Sequence, residues 1–331
     1  MRSRTFGILL CAAWAAFAAQ AGAQSAPPLR LVQTIALPGV EGRIDHLAVD
    51  AAGQRLFVAA LGNNTLEVVD LRVGKRTHSL GGLHEPQGVA YAPEAQRLFV
   101  ANGQDGACLI YDARSLRPLG RVAFSDDADN VRYDAQGHIF VGYGAGAIGI
   151  VEAASGKRLG DWRLAGHPES FQLEANGTRI YVNVPTADHI AVLERNQKGK
   201  VATWPLRGAR ANFPMALDEA DHRLFIGCRD PAKLLVYDTK SGREITRLDI
   251  GGDTDDLCYD AAHKRLYASC GAGVLDVFRQ NDPDHYTAMA HLPTAAGART
   301  SLYVPTLARL YLAVPHRGRQ QAEILVYAAQ P

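Results

Sequence analysis

The sequence contains little cysteine and methionine and almost no excess of charge. Five cysteines and three methionines occur among 331 residues. A redox-partner subunit would need a haem-anchoring motif such as C-x-x-C-H, and the sequence has none. The 35 Lys and Arg residues balance 34 Asp and Glu residues. Because there is no basic block, nothing in the charge pattern favours binding to nucleic acid or to an anionic membrane.

The sequence also lacks phosphate-binding loops, and beyond its N-terminal segment it lacks long apolar runs. No glycine-rich loop follows a strand and opens a helix, so a nucleotide site is not indicated. Beyond the first 23 residues no stretch is long and apolar enough to cross a bilayer, so we expect no membrane insertion. His167, Glu169 and Ser170 do not predict a nucleophilic triad, because three neighbours on one loop cannot take the geometry that a triad needs.

The N-terminal segment has the order of a secretory signal peptide. Two arginines precede an apolar stretch over residues 6–19, and Ala21-Gly22-Ala23 is a small-x-small cleavage signal. The apolar stretch is too short to span a membrane. We therefore expect a signal peptide at 1–23, with cleavage after Ala21 as the close competitor. The mature chain, 24–331, is then expected to be a single domain in the periplasm.

The four cysteines beyond this segment leave two alternatives open. Their spacing matches no zinc motif, and an oxidising compartment permits disulfides. Cys258 and Cys270 fall on neighbouring predicted strands, so a bridge between them is one alternative. The other is that all four are small buried residues with free thiols: Cys108, Cys228, Cys258 and Cys270.

A short strand motif recurs seven times, at intervals of 41 to 44 residues. Each copy follows a turn, an apolar strand precedes the turn, and a third strand follows the motif. Four short antiparallel strands in a period of this length are typical of a β-propeller. The seven copies begin at Arg55-Leu-Phe-Val, Arg97-Leu-Phe-Val, His138-Ile-Phe-Val, Arg179-Ile-Tyr-Val, Arg223-Leu-Phe-Ile, Arg265-Leu-Tyr-Ala and Arg309-Leu-Tyr-Leu.

The count of strands predicts how the ring closes. Seven copies of the first three strands are present, but only six fourth strands follow them before the sequence stops. Residues 30–39 match residues 243–252 in pattern and are predicted to supply the missing strand of the last blade. The expected fold is all-β: a seven-bladed propeller of four-stranded antiparallel blades, closed by an N-terminal strand.

Two of the strand motifs resemble a known repeat. Phe99-Val-Ala-Asn102 and Tyr181-Val-Asn183 look like the YVTN repeat of the YncE-like periplasmic seven-bladed propeller family. The resemblance implies a secreted propeller of WD40-like architecture. It does not name a function, because similar propellers include binding proteins, lactonase-like enzymes and redox subunits. The proline that usually precedes the first strand is retained clearly only as Pro86 and Pro168.

The loops that lead into the first strands carry polar residues that differ from blade to blade. In the third position of a recurring tetrad, four of seven residues are carboxylates at equivalent places around one axis. A lining that varies while the strands repeat is typical of a binding site. The alternative is that these residues accept hydrogen bonds from backbone amides and only shape turns. The predicted ring consists of Asp45, Gln87, Asp129, Glu169, Phe213, Asp255 and Thr300.

These residues and their neighbours on the same face form the candidate site. Four of them are candidate ligands for a divalent cation (calcium, magnesium or zinc), because hard cations take carboxylate oxygens: Asp45, Asp129, Glu169 and Asp255. The full predicted set is Arg43, Asp45, His46, Gln87, Asp129, Asn130, His167, Glu169, Asn212, Asp255, Asp256, Arg299 and His316.

The function expected from this set is binding, in a carboxylate-rich funnel, of a small polar ligand, a divalent cation or the basic loop of a periplasmic protein partner. The alternative is a metal-assisted hydrolase or lyase of the lactonase-like kind, with His46 or His167 as acid or base. The sequence leaves open whether the protein is an enzyme.

Overall fold

A computed structural model describes residues 27–197 and 201–331. It consists of seven four-stranded antiparallel sheets, which are the blades of a β-propeller. The predicted all-β, seven-bladed fold is confirmed. The predicted signal peptide lies outside the described residues. Within the described ranges, no helix has both the length and the apolar character that crossing a membrane requires.

The strands are numbered in chain order, and the first strand of each blade lies innermost. Blade 1 contains β2 (Leu47–Asp50), β3 (Arg55–Ala60), β4 (Thr65–Asp70) and β5 (Lys75–Leu80). Blade 2 contains β6 (Pro86–Ala92), β7 (Arg97–Asn102), β8 (Ala107–Asp112) and β9 (Pro118–Ala123). Blade 3 contains β10 (Ala128–Tyr133), β11 (His138–Tyr143), β12 (Ala147–Glu152) and β13 (Arg158–Arg163).

The remaining blades repeat this order. Blade 4 contains β14 (Phe171–Leu173), β15 (Arg179–Val184), β16 (His189–Glu194) and β17 (Val201–Pro205). Blade 5 contains β18 (Arg210–Asp218), β19 (Arg223–Asp230), β20 (Ala232–Asp238) and β21 (Glu244–Asp249). Blade 6 contains β22 (Thr254–Asp260), β23 (Arg265–Cys270), β24 (Val274–Gln280) and β25 (Tyr286–Pro293). Blade 7 contains β26 (Thr300–Val304), β27 (Arg309–Val314), β28 (Glu323–Ala329) and β1 (Leu29–Ala36). Three short 3-10 helices lie in turns, at Leu61–Asn63, Pro185–Ala187 and Pro305–Leu307.

The second strand of each blade is buried on both faces, because a neighbouring blade covers each side. In β3 every residue from Leu56 to Ala60 is buried, so the strand lacks the apolar–polar alternation of a sheet with one solvated face. Apolar clusters lie between adjacent blades; between blades 1 and 2, Phe57 packs near Leu98 and Tyr111. Each buried Phe or Leu side chain contributes about 1.5–3 kcal/mol to stability.

The arginine that opens the second-strand motif ties neighbouring blades together. Arg55 of blade 1 donates to the carbonyl of Ala113 in blade 2 at 2.5 Å. Arg97 of blade 2 does the same to Ala153 of blade 3 at 3.2 Å, and Arg179 of blade 4 to Thr239 of blade 5 at 2.7 Å. The repeated arginine is therefore an inter-blade contact as well as a sequence marker.

The N-terminal strand closes the ring as the strand count predicts. Strand β1 pairs antiparallel with β28, with Ile35 opposite Ile324. The predicted segment, 30–39, agrees with β1 within three residues at its end. Arg265 of blade 6 contacts both ends of the described chain, since it donates to the carbonyls of Pro28 (3.3 Å) and Pro331 (3.0 Å).

All four cysteines in the described part of the chain have free thiols. The alternative of a Cys258–Cys270 bridge is therefore wrong. Although β22 and β23 are neighbours, Cys258 lies opposite Tyr267, three residues before Cys270. Three residues along a strand span about 10 Å, which is beyond the reach of a disulfide.

Candidate ligand-binding channel

The inner strands begin with an irregular turn that directs side chains toward the ring axis. In blades 2, 3 and 6 the residue just before the inner strand has a left-handed backbone, and in blade 5 the second residue of the strand has one. These residues are Glu85, Asp127, Asp253 and Ala211. A shift of pairing register follows within each of these strands. Such bulges re-aim side chains and are frequent beside functional sites. Several tetrads that were predicted as loops are thus parts of the inner strands.

The seventh member of the ring is Arg299, and the prediction of Thr300 is wrong by one residue. Ser301 of blade 7 is the structural equivalent of Leu47 of blade 1, because each lies opposite the fourth residue of its second-strand motif. Two residues before Ser301 stands Arg299. The sequence misleads here because Ser301 is a polar residue at an apolar position, where its hydroxyl lies 2.8 Å from that of Ser269.

A small chamber of about 150 Å³ occupies the mouth of the channel, and we call it the mouth chamber. Seven residues of the predicted set line it, together with three others, of which Phe213 belongs to the predicted ring. The predicted residues are Arg43, Gln87, Asp129, His167, Glu169, Asp255 and Arg299, and the additional ones are Asp127, Phe213 and Arg229.

One side of the mouth chamber brings together three groups that can bind a metal ion. Ligand atoms of Asp129, His167 and Glu169 all lie within 4.8 Å of one another. His167 Nδ1 donates to the carbonyl of Gly144 at 2.7 Å, which leaves Nε2 facing Asp129 Oδ2 at 3.7 Å. The carboxyl of Glu169 has no hydrogen bond or ion pair with the side chains that the structure describes. Two carboxylates and one imidazole therefore converge on the same small space.

Burial and like charge shift the pKa values of this side of the chamber. Burial, followed by the nearby Asp129 and Asp255 carboxylates, raises the pKa of Glu169 to about 8. Burial disfavours the imidazolium of His167, but its contacts with Asp129, the Gly144 carbonyl and Asp127 outweigh burial and raise the pKa to about 9. A bound cation would remove the repulsion that keeps a proton on Glu169.

On the other side, arginines neutralise the remaining carboxylates. Asp255 lies 2.5 Å from Arg229 and 2.9 Å from Arg299. Asp45 accepts a hydrogen bond from Arg43 at 2.8 Å, and burial together with Asp255 and Asp129 still raises its pKa to about 6. The four carboxylates predicted as metal ligands thus fall into two groups: Asp129 and Glu169 lie with His167, whereas Asp45 and Asp255 lie with arginines.

The three additional residues of the chamber contact its predicted members. Phe213 is covered by the guanidinium of Arg229, whose Cζ lies 3.6 Å from the ring centre. Asp127 accepts a hydrogen bond from Gln87 Nε2 at 3.0 Å. Sequence position gives a signal for Asp127 and Phe213, which are in the tetrads, but Arg229 comes from the end of β19, the second strand of blade 5.

His46 and Asp256 lie deeper, in the wall of a larger cavity of about 400 Å³ that follows the ring axis. His46 Nδ1 lies 3.5 Å from Asp256 Oδ2, and Nε2 lies 3.1 Å from the amide of Asn130. Burial disfavours the charged ring of His46, but Asp256, Asp45 and Asp129 outweigh it and raise the pKa to about 10. These carboxylates therefore favour the imidazolium form of His46.

Four predicted site residues line neither cavity. Asp45 and Asn130 contact residues that do, through Arg43 and His46, whereas Asn212 and His316 are bound elsewhere. Asn212 Nδ2 donates to Asn183 Oδ1 at 2.8 Å and to the His189 carbonyl at 3.1 Å, so it ties blade 5 to blade 4. His316 Nδ1 lies 2.7 Å from Glu41 Oε2. The structure brings neither of these side chains to the mouth chamber.

Comparisons with known proteins identify the architecture. The sequence matches no protein-family model. A stretch of 124 residues is 27% identical to THO complex subunit 3 of Arabidopsis thaliana, and the match covers 37% of this chain and 39% of that protein's length.

Solved structures are similar over nearly the whole chain. Hydrazine synthase of Kuenenia stuttgartiensis has a TM-score of 0.72 at 14% identity, covering 84% of this chain and 95% of that one. A chain of the mitotic checkpoint complex has a TM-score of 0.77 at 13% identity, covering 100% of both chains. The RRP9 WD40 repeats have a TM-score of 0.77 at 9% identity, covering 92% of this chain and 98% of that one.

At these identities the likenesses establish the fold alone. The YVTN relationship is not confirmed by them, and the hydrolase or lyase alternative has no support. The protein is a seven-bladed β-propeller with WD40-like structural neighbours, a fold consistent with binding a ligand or a protein.

Proposed function

We propose that this chain is a periplasmic binding propeller of the YVTN-repeat kind whose mouth chamber binds a positively charged group. The observation that carries the proposal is the carboxyl of Glu169. It lies beside Asp129 and His167, and it has no partner among the described side chains. Buried carboxylates are normally paired, hydrogen-bonded or bound to a cation.

Charge balance in the mouth chamber supports a cation as the ligand. Arg43, Arg229 and Arg299 are matched by three aspartates, because Arg43 pairs with Asp45 while the other two pair with Asp253 and Asp255. The remaining groups are three carboxylates and one imidazole: Asp127, Asp129, Glu169 and His167. When a metal binds, the His167 imidazole is neutral and the three carboxylates carry three negative charges, of which a divalent cation neutralises two.

The donor set favours zinc among the divalent cations. Calcium and magnesium take oxygen ligands, whereas zinc readily accepts imidazole nitrogen together with carboxylate oxygen. Since His167 presents Nε2 toward Asp129 and Glu169, we expect Zn²⁺ to bind more tightly than Ca²⁺ or Mg²⁺. The same charge can come from an ammonium or guanidinium group, either of a small ligand or of a basic loop on a partner protein.

Isothermal titration calorimetry of the chelator-treated protein tests this proposal. We expect Zn²⁺ binding near one equivalent, and Glu169→Gln should weaken it at least tenfold. The matched control is Asp105→Asn, which removes a carboxylate beside another histidine, His84, outside the mouth chamber. This control should bind zinc like the wild type.

The other titrants decide between ions and organic cations. Binding of arginine or of an arginine-containing peptide, sensitive to Glu169→Gln and with no response to metals, would assign the chamber to a guanidinium group. If metals, arginine and the peptide all fail to bind, or if Glu169→Gln changes nothing, the proposal is wrong.

A further inference from the structure

A second polar feature lies deeper in the channel, separate from the mouth chamber and its proposed cation site. In each of the seven inner strands, one residue lies opposite the third residue of the second-strand motif. These seven residues form a ring around the axis, which we call the waist. All seven residues line the larger cavity: Ala48, Ala90, Arg132, Gln172, Ala216, Cys258 and Leu302. Arg132 is the one charged member, and small or apolar residues fill most other places.

The guanidinium of Arg132 has no carboxylate partner. Its two recorded hydrogen bonds go to the neighbouring Val131 carbonyl at 3.0 Å and to the Ser170 hydroxyl at 3.4 Å. Among the residues that the structure describes, no Asp or Glu oxygen lies within 4.0 Å of it. Other arginines of the inner channel are paired, as Arg43 is with Asp45.

An unpaired guanidinium in this position is costly. Burial lowers the pKa of Arg132 even though Asp256 and Asp129 act in the opposite direction. A guanidinium nevertheless stays protonated in proteins, so its charge persists in the cavity. The Asp256 carboxylate lies 3.5 Å from His46 Nδ1 and makes no ion pair with Arg132.

We propose that the waist binds the carboxylate of a small organic acid, with Arg132 as the anion-binding residue. Arg presents a planar fork of N–H donors that matches the two oxygens of a carboxylate. The cavity has about 400 Å³ of space for the rest of the molecule. Its walls are apolar and polar in nearly equal parts, and the apolar part accommodates an apolar body on the acid; that part includes Leu47, Val49, Val89, Met215, Leu217 and Leu257.

The side chain of Gln172 indicates which substitution of Arg132 is compatible with the fold. Arg132 and Gln172 hold equivalent positions, because each lies opposite the aromatic residue of its second-strand motif, Phe140 and Tyr181. Arg132→Gln therefore places at the waist of blade 3 the side chain that blade 4 already carries there. Arg132→Lys keeps the charge but loses the fork.

Calorimetric titration with benzoate, with benzyl alcohol as its neutral counterpart, tests the proposal. We expect the wild type to bind benzoate and to bind benzyl alcohol at least tenfold more weakly. Arg132→Gln should lose at least tenfold in benzoate affinity, and Arg132→Lys should fall between the two. Asp105→Asn, outside both cavities, should match the wild type.

A variant that leaves Arg132 in place keeps the test decisive if Arg132→Gln does not fold. Ala90→Leu narrows the waist with the residue that blade 7 has at the equivalent position, Leu302. It should weaken benzoate binding more than acetate binding. The proposal is overturned if the wild type binds no benzoate, if Arg132→Gln binds it equally well, or if inorganic phosphate binds as tightly as benzoate.

Discussion

At the scale of single residues, Glu169 is a partly buried carboxyl that faces two aspartates without a side-chain hydrogen-bond partner among the described residues. Burial and these carboxylates raise its pKa from an ordinary value of 4.5 to about 8. The unfolded chain releases this proton more readily than the folded protein does. Folding stability from this group is therefore present below about pH 4.5 and is lost as the pH rises toward 8.

The stability of the chelator-treated protein should therefore depend on pH. The free energy of unfolding of the wild type should fall between pH 5 and pH 8, by an amount on the order of 2 kcal/mol. Glu169→Gln has no proton to lose, so its stability should be flatter over that range and higher at pH 8. Urea unfolding at several pH values measures both slopes. Parallel curves for the two proteins would show that Glu169 is ionised at no cost.

The residue scale is also where the sequence and the structure agree least. The tetrads predict that carboxylates gather at one face, and the structure places Asp129, Glu169 and Asp255 around one chamber. The sequence does not show that Arg229, at the end of β19 in blade 5, reaches Asp255 in blade 6. Such a contact depends on the positions of two blades and on side-chain length, neither of which a repeat pattern encodes.

At the scale of elements, the strand motif has two roles, and the repeat pattern by itself reveals only one. Its apolar residues predict the buried second strand, and that prediction is confirmed. Its arginine reaches the carbonyl that follows the third strand of the next blade, as Arg55 reaches Ala113. Arg55 also pairs with Asp50 at 2.7 Å, so a partly buried charge is satisfied on both sides.

We therefore predict that Arg55→Met destabilises the protein by about 1–3 kcal/mol, because it leaves the Ala113 carbonyl without its side-chain donor and Asp50 with the Gly53 amide but without its ion pair. Arg72→Met is the matched control: Arg72 also pairs with an aspartate, Asp70, but on the exposed surface of the same blade. Its loss should not change the midpoint of urea unfolding measurably. Equal losses in the two variants would mean that the inter-blade contact contributes nothing.

Blade 7 shows the limit of element-level prediction. In its inner strand the apolar residues begin one position late, because Ser301 stands at an apolar position. The predicted ring residue was therefore Thr300 instead of Arg299. Counting strands, in contrast, is insensitive to one substitution. That is why the number of blades and the origin of the closing strand were predicted correctly.

At the scale of the whole molecule, stability depends on closing the ring. Strand β1 supplies the outer strand of blade 7, and Arg265 holds both Pro28 and Pro331. Deletion of residues 24–39 should expose the edge of β28 and remove buried side chains such as Ile35 and Leu37. We expect a lower melting temperature and association of the truncated chains, since an open strand edge pairs with other edges.

Size-exclusion chromatography and thermal unfolding of the truncated protein measure this effect. Removal of residues 1–23 alone, the predicted signal peptide, is the control and should leave the elution volume and the melting temperature unchanged. A truncated protein that stays monomeric and equally stable would contradict closure by the N-terminal strand.

The central claim is that the mouth chamber binds a cation between Asp129, His167 and Glu169. Anomalous diffraction at the zinc absorption edge, from crystals of the protein with one equivalent of Zn²⁺, tests it most directly. We expect one strong anomalous peak within bonding distance, about 2.0–2.2 Å, of His167 Nε2 and the two carboxylates. A peak elsewhere on the propeller, or no peak in the mouth chamber, would contradict it.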